Sequence, residues 1–127
     1  GHTVKSENIA RFAKGADVLI SEATLMDVVT EMQSVAHEYG RTRFEKMLHD
    51  IRDYHIAPGD AADLAAEAGV KHLVFSHVIP PLPQWLGARM FTRDTDRPGL
   101  DVHLGFDGML ITLPAAGGDA VFDDLSP

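Results

Sequence analysis

The stretch LVFSHVIPP, residues 73–81, decides how this chain is read. Leu73, Val74 and Phe75 form a short continuous apolar run, the pattern of a strand buried on both faces. The run ends in Ser76-His77 and then breaks into Pro80-Pro81, where proline has no N–H to donate to a ladder. A hydrophobic core has no need of an imidazole there. In open α/β sheets, however, ligands gather outside the C-terminal ends of strands. Two readings stand for His77. It is either a metal ligand whose tautomer a neighbouring carbonyl or carboxylate fixes, or a half-buried histidine that caps a strand.

Upstream, DVLISEA offers a second apolar run in Val18, Leu19 and Ile20, ending at Glu22. If the two strands are parallel, Glu22 and His77 reach the same sheet edge. Glu22 then either orients a histidine or sits as an ordinary carboxylate at the start of the next helix, where the helix dipole favours it. Between the strands, helical spacing places Leu25, Val28, Val29, Met32, Val35, Ala36 and Tyr39 on one face, with Gly40 as the stop. Phe44, Met47, Leu48 and Ile51 repeat the pattern. In PGDAADLAAEAGV, Pro58 suits a first helical turn and Gly69 a C-cap. His55 precedes that helix, and is either a general acid or base or a polar loop group.

Ile9, Phe12, Ala13 and Ala16 predict an opening helix ended by Gly15. Residues 78–99 hold four of the seven prolines and are expected to form a loop with at most a short helix around Trp85. LDVHLGF and MLITLP are expected to pair as a hairpin through Asp107-Gly108, a two-residue turn signal. Residues 1–114 then form one domain portion, and 115–127 a mobile tail. His37, His49, His72 and His103 read as surface or packing residues.

Composition narrows the classes. The chain has 127 residues, 45% hydrophobic and 24% charged, enough for one domain with a modest core. No apolar run approaches the roughly 20 residues that span a bilayer. No secretory signal pattern is visible. Cysteine is absent, which removes disulfides, thiolate metal sites and cysteine nucleophiles, and points to the cytoplasm. The net charge of −8 disfavours nonspecific capture of nucleic acid, which relies on neutralising phosphates. It favours a small-molecule substrate over RNA without excluding a local basic patch. There is no serine nucleophile elbow and no phosphate-cradling glycine loop.

Taken in order, GHTVKSENIARFAKGADVLISEAT, YHIAPGDAADLAAEAGVKHLVFSHVIPP and VHLGFDGMLITLP resemble the second half of a metallo-β-lactamase-fold hydrolase of the ribonuclease Z-like branch. The resemblance runs to about Pro114 and implies an α/β fold. That fold would be half of an αββα sandwich, with a small mixed sheet, helices on one face and a C-terminal hairpin. It implies that His77 is the last metal ligand, that His55 assists proton transfer to the leaving group, and that Glu22 supports them. His2 stands where the family has a bridging aspartate, and an imidazole cannot bridge two ions through paired oxygens. The HxHxDH signature, which supplies most of the family's ligands, is absent from the sequence.

The expectation is therefore a parent enzyme that hydrolyses a phosphodiester, ester or related bond using divalent metal, two zinc ions in the parent. The isolated chain is expected to be inactive. The competing reading is a noncatalytic module in which two copies cover each other's exposed sheet faces as a homodimer, by dimerisation or domain swapping.

Overall fold

A computed structural model describes residues 7–127. Helix α1 (Glu7–Phe12) leads into strand β1 (Val18–Thr24), followed by α2 (Met26–Glu38), α3 (Thr42–Tyr54) and α4 (Pro58–Ala68). Then come β2 (His72–Ile79), α5 (Gln84–Phe91), β3 (Asp101–Leu104), β4 (Met109–Thr112) and β5 (Val121–Asp124). The fold is α/β.

Strands β1, β2 and β3 form one sheet with β2 at its centre, and both pairings are parallel. Leu73 lies in register with Leu19 and Val102, and Phe75 with Ser21 and Leu104. Residues two apart share a face, so Leu73 and Phe75 point together into the main core. Each such side chain contributes about 1.5–3 kcal/mol when buried. Helix α4 lies over this face. Its buried stripe of Ala61, Ala62, Leu64, Ala65 and Ala68 is mostly alanine, so the helix can lie close to the strands. Pro58 begins the helix, and Gly69 ends it with φ of 71°, a left-handed conformation that costs glycine little. Gly15 N–H donates to Ala68 O at 3.0 Å and ties the end of α1 to the end of α4.

Helices α2 and α3 bury their facing stripes against each other and Ile79, through Val29, Ala36 and Leu48. The outer part of the expected apolar faces, including Val35, Tyr39 and Met47, remains exposed. The loop after β2 contains α5, as the sequence implied.

Three expectations are corrected. The expected mixed sheet is two separate sheets, one wholly parallel and one antiparallel pair, β4–β5. The hairpin does not join β3 to β4. Asp107-Gly108 does turn the chain, with Met109 N–H donating to Phe106 O at 3.0 Å. But β3 is committed to the parallel ladder with β2, and β4 pairs instead with β5, Ile111 opposite Phe122. That partner comes from the 115–127 segment expected to be a tail, which therefore carries a strand. Finally, β1 was expected to be fully buried, yet Ile20 is 62% exposed although its register neighbour Val74 is buried. β1 is an edge strand, and Ile20 lines an open groove together with Met109 and Ile111 of β4. Among the described residues no helix is long and apolar enough to cross a membrane.

Candidate active site

The ladder between β1 and β2 is interrupted where the candidate residues lie. Ser21 pairs with Phe75, but Ala23 pairs with Val78, so Glu22 alone stands against Ser76 and His77. This is a β-bulge, a device that re-aims a side chain at the end of a ladder. His77 absorbs the distortion with φ of 48°, the one positive φ recorded for a non-glycine residue among those described. Such a conformation in a side-chain-bearing residue costs on the order of 1–3 kcal/mol and clusters at functional positions. The sequence signalled the end of the strand, but not the bulge.

His55 reaches the same place from the other side. It is the residue that ends α3, with extended backbone at φ of −120° and ψ of 160°. The next residue, Ile56, accepts a 2.8 Å hydrogen bond at its carbonyl from Thr24 N–H. That bond pins the loop before α4 to the end of β1 and brings His55 onto Glu22. His55 Nδ1 is 3.0 Å from Glu22 Oε2, with both side chains buried. His77 Nδ1 is 3.6 Å from the same oxygen, and the His77 side chain is 65% exposed. The two rings are 6.0 Å apart, tilted by 51°.

One buried carboxylate thus serves two imidazoles. The Glu22 Oε2 contact with His55 Nδ1 is at ion-pair distance, and the contact with His77 Nδ1 is longer. Donor atoms of Glu22, His55 and His77 all lie within 4.8 Å of one another. Two imidazole nitrogens and a carboxylate oxygen at this separation fit the ligand preferences of zinc and of other divalent first-row metals. His77 also opens onto a groove of about 250 Å³ lined by Ile20, Val74, Ser76, Asp107 and Met109. A second groove, about 290 Å³, begins at Ala57 and Pro58 beside His55 and reaches Met90 and Arg93. Glu22, His55 and His77 are therefore brought together, while His2 lies outside the described residues.

Of the remaining histidines, His37 contacts Glu45 and His49 contacts Asp53 on exposed helix surfaces. His72 and His103 behave differently. His72 is buried, its Nδ1 is 3.1 Å from His103 Nε2, and its Nε2 is 2.6 Å from Asp119 Oδ1. Sequence reasoning had set both aside. The signal available was parity: each lies an odd number of residues from the core-facing Leu73 or Leu104, hence on the opposite sheet face. Burial, followed by the neighbouring His72 charge, pushes the His103 imidazole below its ordinary pKa, while Asp101 and Asp119 act in the opposite direction. The hydrogen bond from His72 lowers the Asp119 carboxyl.

No family model matches the chain. Its sequence is similar to those of several proteins named ribonuclease Z, which supports the branch that the resemblance indicated. It is 33% identical over 110 residues to a ribonuclease Z of Mycolicibacterium paratuberculosis, covering 81% of this chain and 35% of that protein. It is 32% identical over 82 residues to a ribonuclease Z of Mycobacterium tuberculosis, covering 65% of this chain and 26% of the relative. Ribonuclease Z 1 of Schizosaccharomyces pombe is 28% identical over 113 residues, 89% of this chain and 11% of its own length. The chain spans about a third or less of the curated relatives it matches.

Proposed function

We propose that this chain carries the proton-handling residues and one metal ligand of a metal-dependent phosphodiester hydrolase. The observation behind this reading is the placement of Glu22 between His55 and His77, 3.0 and 3.6 Å from their Nδ1 atoms. The relatives named ribonuclease Z favour RNA as the substrate class, against the small-molecule preference that the charge of −8 suggested. Arg93 lines the groove beside His55 together with Asp27 and Asp94, and is the cation there that could meet a phosphate.

In this reading His77 is a metal ligand, and Glu22 holds both rings in orientation. A divalent metal, zinc in the leading case, would be held through His77 together with ligands from outside the described residues, and would supply a Lewis acid for the attacking water and the phosphoryl oxygen. His55 Nε2 delivers a proton to the leaving oxygen as its bond to phosphorus breaks, and the buried Glu22 carboxylate stabilises the imidazolium before transfer. Three donors at most come from the described residues, and the HxHxDH signature is not in the sequence, so the isolated chain is proposed to be inactive. A role for His2 as a ligand belongs to the same proposal, as do a cytoplasmic setting and a domain portion ending near Pro114.

The test is zinc titration of the tag-free chain by calorimetry, beside His77→Ala, with bis(p-nitrophenyl) phosphate turnover measured in parallel. Binding of one zinc that disappears in the variant, with no turnover, is the expected result. A folded chain that ignores zinc overturns the metal assignment, and turnover by the isolated chain overturns the inactivity. The noncatalytic alternative draws on the exposed Ile20 of the edge strand β1. Light scattering showing a monomer at high concentration removes the homodimer on which it depends.

A further inference from the structure

The His72–His103–Asp119 cluster lies outside the candidate active site and joins three elements. His72 opens β2 and His103 lies in β3, while Asp119 lies just before β5. Phe122 of β5 stacks on the His103 ring, with centroids 4.0 Å apart and planes 18° apart, and also meets His72 at 4.9 Å. The cluster therefore fastens the β4–β5 pair to the face of the parallel sheet opposite α4. The charged groups acting on it are Asp101, whose carboxylate is 4.0 Å from His72 Nδ1, Asp119 itself, and Lys71 beside Asp119.

The contact between the rings constrains how many protons the cluster can hold. With both rings neutral, His103 Nε2–H donates to His72 Nδ1, and His72 Nε2–H donates to Asp119. With one added proton, His72 carries hydrogen on both nitrogens and donates Nδ1–H to His103 Nε2 instead. Both arrangements keep every contact. With two added protons, the atoms facing each other at 3.1 Å are both donors on like-charged rings, and no acceptor lies between them.

We propose that His72, His103 and Asp119 form a proton-counting latch that holds the β4–β5 pair on the parallel sheet with one added proton and releases it with two. The lowered pKa of His103 agrees with a fold that resists the second proton. Release would alter the groove whose walls include Met109 and Ile111 from β4 and His77 from β2, so the latch sets the shape of the space next to His77. A cluster that simply packed the sheet would need no such limit, and a phenylalanine pair would serve as well.

The experiment is NMR on the full chain from pH 8 to pH 5. Long-range 1H–15N correlations follow the ring nitrogens of His72 and His103, and amide exchange follows residues 109–112, 121–124 and 73–75. The expected result is exchange in 109–112 and 121–124 rising at least roughly tenfold beyond its intrinsic pH dependence as His103 titrates, with 73–75 still protected. His103→Gln should abolish that pH-linked rise. Asp119→Asn, a milder change, should weaken protection of 121–124 already at pH 8. If 121–124 stays protected through the His103 titration, or opens with the same midpoint in His103→Gln, the latch is wrong. If His103→Gln does not fold, coincidence of the His103 ring titration with the wild-type exchange midpoint decides the matter alone.

Discussion

Glu22 Oε2 lies 3.0 Å from His55 Nδ1, with both side chains out of solvent. We expect a carboxylate so placed to favour the Nδ1-protonated tautomer of the imidazole. Ring 15N spectra should show a protonated Nδ1 on His55 in the wild type and a mixed tautomer population in Glu22→Gln. Glu22→Ala should cost about 2–3 kcal/mol in denaturant unfolding, the scale of a buried charge-assisted hydrogen bond. An unchanged His55 tautomer in both variants would show that Glu22 does not orient it.

His77 has two separable consequences, one from its ring and one from its backbone. At φ of 48° a glycine is unstrained, so His77→Gly should match or exceed wild-type stability, by up to about 1 kcal/mol, while His77→Ala keeps the strain. Both should lose the zinc binding proposed for the wild type. If His77→Gly were less stable than His77→Ala, the imagined strain at the bulge would not be there.

Two glycines test the packing around the sheet in opposite ways. A Cβ on Gly105 would meet the Phe75 carbonyl oxygen at 2.8 Å, which is backbone and cannot swing aside. Gly105→Ala is expected to destabilise by about 1–3 kcal/mol, as overpacking does. A Cβ on Gly87 meets the end of the Leu104 side chain at 2.9 Å, with Leu82 at ordinary van der Waals distance. There the gain in helix propensity, about 1 kcal/mol, offsets the repacking, so Gly87→Ala should be nearly neutral by thermal unfolding.

Acid should weaken the fold through His103. Its folded pKa lies below its ordinary value of about 6.5, so in that window the unfolded chain binds more protons than the native one. The stabilisation is full above about pH 6.5 and declines as pH falls towards the lowered folded pKa. Asp119 and Asp124 are lowered too, by hydrogen bonds from His72 and Ser126, so their contributions vanish only in stronger acid, below the ordinary carboxylate range. Melting curves should show a first decline below pH 6.5 that flattens in His103→Gln. A wild-type midpoint unchanged down to pH 5 contradicts it.

What could be read from residues alone was local. The one-face stripe of Leu25 to Tyr39, the Pro58 start and Gly69 end of α4, and the apolar run Leu73–Phe75 each follow from interactions within a few residues. So they were legible without a structure. The end of β2 at Ser76-His77 was legible for the same reason, and with it the candidacy of His77. His55 and Glu22 were identified by type and by the order of the resembling segments.

What only the tertiary structure decided was which of these remote pieces meet. The pairing of β3 with β2 rather than β4, and of β4 with a segment taken for a tail, depends on which strand edge competes best across the whole sheet. Period-two alternation says which face a residue takes, and nothing about its neighbour strand. The bulge that sets Glu22 against both Ser76 and His77 arises from a register mismatch between strands about fifty residues apart in sequence, and no window of either strand contains it. The same holds for His72, His103 and Asp119. Each is unremarkable in its own stretch, and their shared protons exist only because the parallel ladder and the β4–β5 pair bring three separate segments within hydrogen-bond reach.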